Sequence, residues 1–173
     1  MLLSNAGISG AVVPILDYPS DEFARTLAVH VLGAFHIVKH GTPHLSDGGA
    51  IIITSSVVGL MGFEGISAYI AAKHGQVGLM RAAAKEFAAR RIRVNTPHPG
   101  PTSTPFQDDI EMRATGKSRD EAAHMFDALV PLGRHTTPRG DRPRRAVSRR
   151  RRERDDDIAH VRDRRRPQRL RQT

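Results

Sequence analysis

The amino-acid sequence predicts an α/β fold on a parallel sheet of about three strands with flanking helices. Two observations carry this. Short apolar, β-branched runs alternate with longer amphipathic stretches in the order strand, helix, strand, helix, strand, helix, as right-handed crossover units do. The central run, Ala50-Ile51-Ile52-Ile53-Thr54, is nearly all apolar, which predicts a strand covered on both faces.

Met1 to Ser4 is a short apolar run that ends in Asn5-Ala6-Gly7 and reads as a buried strand entering a turn. Ser20 is a candidate N-cap, Asp21 and Glu22 suit the positive end of a helix dipole, and Phe23, Leu27, Val31, Phe35 and Val38 recur at helical spacing. This predicts a helix from Ser20 to about Leu45. Asp47-Gly48-Gly49 makes a turn into the central strand. Ser67 to about Arg90 is rich in strong helix formers, with Gly75 and Gly78 as weak points that permit close packing. Ile92 to Pro97 gives a third strand, stopped by Pro99-Gly100-Pro101. A loop rich in Thr and Ser is expected next, and then a helix from Ser118 through Leu129 with Ser118 and Glu121 as a capping box.

The 173 residues have room for one domain and a sizeable core. The absence of cysteine excludes disulfides and thiolate metal sites and favours a reducing, cytoplasmic setting. Met1-Leu2-Leu3-Ser4 has no basic leader region, and no stretch approaches the roughly 20 apolar residues of a membrane span. A soluble, untargeted chain is expected. The net charge of +9 is very unevenly placed: residues 1–138 hold 12 Lys or Arg and 12 Asp or Glu, whereas residues 139–173 hold 15 Arg, no Lys and 6 acids. Two regions are therefore expected, a folded domain over 1–138 and an Arg-rich tail over 139–173 that is disordered or irregular.

Tyr69-Ile70-Ala71-Ala72-Lys73 sets a phenol and an ammonium four residues apart, hence on one helix face. A phenol is a poor base at neutral pH, and an adjacent cation favours phenolate, drawing its pKa down. Tyr69 could then exchange a proton with an alcohol or carbonyl. Ser56, at the end of the central strand, can offer a hydroxyl to the reacting oxygen. Taken alone, the spacing also describes an ordinary amphipathic surface pair.

The surrounding register is specific. Asn5-Ala6-Gly7 follows one strand, Thr54-Ser55-Ser56 follows another, Ser56 lies thirteen residues before Tyr69, and Arg93-Val94-Asn95 leads into Pro99-Gly100. In this order and spacing, from about Leu2 to Pro138, the chain resembles the short-chain dehydrogenase/reductase (SDR) family. The resemblance implies a partial Rossmann-like, doubly wound parallel sheet and hydride transfer between NAD or NADP and a small alcohol or ketone. It implies that Tyr69 is the catalytic acid/base, that Lys73 holds the nicotinamide ribose and lowers the Tyr69 pKa, and that Ser56 orients the substrate carbonyl. By the same resemblance Pro99, Gly100 and Thr104 contact the nicotinamide carboxamide and neighbouring phosphate, and Asn5, Ala6 and Gly7 form the turn beside the cofactor. The helices beginning near Asp21 and Ser67 would be subunit contacts of a homo-oligomer.

His30 departs from the family pattern. It stands where the family usually has Asn, in the helix whose backbone holds the water of a proton relay, so it either replaces that function with a ring titrating near 6.5 or displaces the water. His36, His40 and His44 recur at helical spacing and read as a solvated edge, with no metal assigned. His74 and His98 read as local packing or pocket lining. The glycine-rich turn that holds a dinucleotide pyrophosphate does not occur in the chain, because the sequence starts at what resembles the family's fourth strand. Activity of the chain by itself is therefore in question, and the alternatives are an inactive fragment or an interaction module with a basic tail.

From Arg139 the family pattern gives way to arginine runs. Three origins remain open: a frameshift in GC-rich DNA, a true basic extension, and an unrelated splice. Fifteen arginines could meet nucleic-acid phosphates. The lack of any aromatic residue for base stacking, and the interruption by Asp155, Asp156 and Asp157, argue against that partner.

Overall fold

The computed structural model of the chain describes residues 1–138. The expectations for the tail, its disorder and its frameshift included, lie outside the described residues. Three strands, β1 (Leu2–Ser4), β2 (Ala50–Ile53) and β3 (Arg93–Asn95), form one parallel sheet in the order β1-β2-β3. Leu2 lies beside Ile51, and Ile51 beside Val94, so the chain-terminal ends of all three strands point the same way. That end carries the site.

Between β1 and β2 run α1 (Ser20–Leu27), a π-helical turn over Ala28–Leu32, and α2 (Gly33–Gly41). Between β2 and β3 runs α3 (Ser67–Glu86). The core joins Ala34 and Val38 of α2, Ile51 and Ile53 of β2, Val77, Met80 and Ala83 of α3, and Ile92 and Val94 around β3. Ile51 and Ile53 are fully buried, and truncating either to Ala would cost ~2–5 kcal/mol.

Several expectations change. The helix predicted over Ser20 to Leu45 is interrupted by the π turn, where one extra residue per turn widens the coil around His30. Ser20 is the first helical residue rather than the cap; Pro19 occupies the cap position and no side chain caps it. The double coverage predicted for β2 is not seen among the described residues. Its burial alternates, with Ile51 and Ile53 covered and Ile52 only half-buried, while Leu3 of β1 is 55% exposed. The predicted Thr- and Ser-rich loop holds over residues 102–104, and it is followed by a helix not predicted, α4 (Pro105–Thr115), started by the Thr104 hydroxyl, which accepts from the Gln107 amide at 3.3 Å. Its periodicity was weak because Ile110 is its one buried apolar residue. The Ser118–Glu121 capping box does form, at the start of α5 (Arg119–Asp127), which ends two residues before the predicted Leu129.

Candidate active site

The site is assembled at the ends of β1 and β2 against the first turns of α3. Ser56 follows β2 in extended conformation, and its hydroxyl accepts from the Val58 amide at 3.4 Å. Ser55 faces the other way: its hydroxyl donates to the Lys73 carbonyl at 3.0 Å, pinning α3 to the strand end. Gly59 fits beneath this bond. A side chain there would collide with the Ser55 hydroxyl and the Lys73 carbonyl. Ser55 was not singled out in the sequence, although its alternation with Ser56 places the two on opposite sides.

Tyr69 and Lys73 lie one turn apart on α3. The Lys73 ammonium is 5.3 Å from the Tyr69 ring centre and donates to the Thr54 carbonyl at 2.8 Å. Lys73 is 5% exposed, and its remaining donors have no hydrogen-bond partner among the described residues. The predicted direction of the Tyr69 shift is reversed. Burial pushes the phenol up to about 12, with the Ser56 hydroxyl as the neighbour that favours phenolate. Burial also brings Lys73 down to about 8. The expectation that Lys73 draws the phenol down counted the charge and not the shared desolvation. Tyr69 therefore holds its proton at neutral pH.

His30 enters from the π turn. Its ring meets Tyr69 edge-on, with centres 5.3 Å apart at 88°. Nε2 lies 2.8 Å from the Ile8 carbonyl and 3.1 Å from the Ile8 amide, and it can donate to the first or accept from the second but not both at once. Nδ1 is buried without a partner. Burial first, and then the Lys73 charge, hold the imidazole below its ordinary pKa against the opposing Ile8 bond, so the expected titration near 6.5 shifts down. Gly7 gives the ring its space, since a side chain at Gly7 would run into Cε1. The His30 carbonyl, expected to face a water, accepts from the Gln76 side-chain amide at 3.0 Å. Gln76 is a site residue that the sequence reading missed, although its spacing of seven from Tyr69 and three from Lys73 places all three on one helix face.

The other predicted residues flank this centre. Asn5 and Ala6 are exposed in the turn before Ile8. The Pro99 carbonyl accepts from the Val57 amide at 3.1 Å, and the Gly100 carbonyl accepts from the Thr102 hydroxyl at 3.0 Å. Thr104 donates to the Thr102 carbonyl at 3.2 Å and caps α4. Phe106, on the first turn of α4, brings its ring within 6.2 Å of Tyr69. The structure thus gathers Ser56, Tyr69, Lys73 and His30, whereas Asn5, Ala6, Gly100 and Thr104 stand around them without direct contact. Lys73's open donors, beside the Tyr69 phenol, suit the paired hydroxyls of a ribose.

A parallel sheet with a serine, tyrosine and lysine at its strand ends defines the class. Residues 1–140 match the family model described as enoyl-(acyl carrier protein) reductase. The chain belongs to the short-chain dehydrogenase/reductase family, with a Rossmann-like sheet. It is 45% identical over 108 residues to (-)-trans-carveol dehydrogenase of Rhodococcus erythropolis, covering 60% of this chain and 38% of that protein. To trans-4-hydroxycyclohexanecarboxylate dehydrogenase of Sinomonas cyclohexanicum it is 41% identical over 137 residues, covering 78% and 47%. Among solved structures it superposes on levodione reductase with a TM-score of 0.74 at 31% identity, over 78% of this chain and 53% of that one. A xylitol dehydrogenase with NAD+ bound gives 0.69 at 32% identity, over 79% and 56%. The chain spans about half or less of the curated relatives it matches. No helix among the described residues is long and apolar enough to cross a membrane.

Proposed function

We propose that the chain carries the proton-transfer half of an NAD- or NADP-dependent oxidoreductase that interconverts a small alcohol and its ketone. The observation that supports this most is the convergence of the Ser56 hydroxyl, the protonated Tyr69 phenol and the buried Lys73 ammonium at one strand end. In reduction, the Ser56 hydroxyl donates a hydrogen bond to the substrate oxygen and the Tyr69 phenol gives that oxygen its proton. In oxidation the same groups take the proton back. Lys73 would hold the nicotinamide ribose through its open donors, with the Asn5-Ala6-Gly7 turn and the Pro99, Gly100 and Thr104 segment on either side. A dinucleotide held there would supply or accept the hydride. A phenol pushed up to about 12 carries its proton at neutral pH, the form from which it gives a proton to the substrate oxygen in reduction.

Phe106 beside Tyr69 offers an apolar wall, which suits a compact cyclic alcohol or ketone of the kind that the relatives' names describe. The apolar groove of Ala24, Leu27, Val31, Leu32, Phe35 and Leu79 supports a homo-oligomer built on α1, α2 and α3. The absence of cysteine supports a cytoplasmic setting. The division into a partial nucleotide-binding domain, 1–138, and a separate tail, 139–173, belongs to the same proposal.

Titrating the whole chain with NADH and with NADPH while following nicotinamide fluorescence tests this proposal. A saturable enhancement with one or both is expected. No enhancement with either favours the inactive-fragment alternative.

A further inference from the structure

His98 is fully buried behind Ser56 and takes no part in the proton transfer proposed above. Its Nδ1 lies 2.8 Å from the Ser56 carbonyl, and its Nε2 lies 3.0 Å from the Thr96 hydroxyl. A carbonyl can only accept, so Nδ1 must carry a proton and donate to Ser56. In the neutral ring Nε2 then offers a lone pair, which the Thr96 hydroxyl fills. The backbone repeats the link on both sides: the Ser55 amide donates to the Pro97 carbonyl at 3.0 Å, and the Val57 amide to the Pro99 carbonyl at 3.1 Å. The Ser56 carbonyl accepts from the Gly59 amide at 2.9 Å and has His98 as its side-chain partner.

We infer that His98, set in one tautomer by the Ser56 carbonyl and held by Thr96, is the positioning residue for Ser56. The Val57 amide end of the Ser56–Val57 peptide is held by the Pro99 carbonyl, and its carbonyl end by the Gly59 amide and the His98 ring together. The rotation of that peptide decides where the Ser56 hydroxyl points. The geometric claim stands independently, while its consequence for catalysis rests on the proposed role of Ser56 at the substrate oxygen.

The test uses the whole chain, isotopically labelled, and asparagine and glutamine at position 98. An asparagine amide reaches the place of Nδ1; a glutamine amide reaches that of Nε2. Wild-type His98 is expected to show a protonated Nδ1, an unprotonated Nε2 and a scalar coupling across the bond to the Ser56 carbonyl carbon. His98→Asn should keep the Ser56 carbonyl shift near the wild-type value, and His98→Gln should move it. Thr96→Val conserves volume and removes the Nε2 partner, so it should loosen the ring and move the same shift part of the way. A proton on Nε2 alone, no coupling, or equal effects of Asn and Gln would overturn the inference. In turnover assays His98→Gln should lower kcat about 10- to 100-fold with KM nearly unchanged, and His98→Asn should restore most of it. Turnover that is indifferent to residue 98 would also overturn it. The spectroscopic pattern without turnover, even in the wild type, would uphold the positioning of Ser56 and count against the oxidoreductase proposal instead.

Discussion

The strand-end wall and the α4–α5 flap are held together by different forces. The wall of Ser55, Ser56, Tyr69, Lys73 and His98 sits on the apolar core, and its polar contacts run mostly to backbone carbonyls. The flap is closed by side-chain charge. His135, its side chain 8% exposed, bridges Glu111 of α4 at 2.7 Å and Asp127 of α5 at 2.6 Å, and Gln107 also donates to Glu111 at 2.8 Å. Arg113 reaches across to Ser9 at 2.6 Å and to the Gly10 carbonyl at 3.0 Å, tying α4 to the loop after β1. Contacts of neutral groups to backbone depend little on pH or salt, whereas ionic bridges depend on both; Lys73, brought down to about 8, is a titrating donor within the wall. The wall is built to hold geometry, and the flap, which carries Phe106 beside Tyr69, to be adjustable.

The largest expected effect breaks the wall from below. Ile53→Ala should cost ~2–5 kcal/mol of unfolding free energy at every pH, because it opens a cavity in a core without ionisable groups. Denaturant melts at neutral and mildly alkaline pH should show the same loss; a strongly pH-dependent loss would mean that the core and the flap are one unit.

The next effect belongs to the flap. Burial alone would lower the His135 pKa, but its bonds to Asp127 and Glu111 outweigh this and raise it. A raised folded value contributes stability that is fully present below the ordinary histidine range and is lost as pH rises through the raised value. Asp127, held below its usual range by the His135 bond, contributes above the ordinary aspartate range and loses that contribution as pH falls through its lowered value. The clamp is therefore tightest between the two. Protection of α4 and α5 amides, taken relative to base-catalysed intrinsic exchange, should fall on the alkaline side more than that of α3. Glu111→Gln should weaken the clamp by ~1.5–3 kcal/mol, the worth of a hydrogen bond to a charged group, and flatten this pH dependence.

A smaller effect sharpens the wall. His30 serves the Ile8 amide and carbonyl with one nitrogen and leaves Nδ1 without a partner, whereas an asparagine amide offers a donor and an acceptor together. His30→Asn should stabilise the chain by about 1 kcal/mol in a thermal melt, and a loss of similar size would show that ring packing on Tyr69 outweighs the extra bond. The smallest effect is on the surface. Arg119→Ala removes an exposed 2.8 Å pair with Asp108 and should cost ~0.2–1 kcal/mol, less in high salt.

The same contrast decides what was legible in the sequence. The strands and α3 were readable because core burial imposes period, and the family resemblance of the surrounding register pointed to Ser56, Tyr69 and Lys73, which the fold brings to one strand end. The π turn was not, because Phe23 to Val38 keep a nearly helical rhythm through it. Helix α4 was missed because its charged residues serve partners far along the chain, such as Ser9 for Arg113 and His135 for Glu111. The Tyr69 shift was predicted with the wrong sign because spacing reveals a nearby charge and not how deeply the pair is buried. Gln76 and His98 bond to backbone carbonyls, and no side-chain pattern marks such a partner.

The central claim is that the wall is a working proton-transfer site. It is tested most directly by following NADH or NADPH consumption with a cyclic ketone, for the whole chain and for Tyr69→Phe. The account predicts cofactor- and ketone-dependent turnover that falls by ~10²- to 10⁴-fold in the variant, with cofactor binding unchanged. Equal turnover by the two proteins would contradict it.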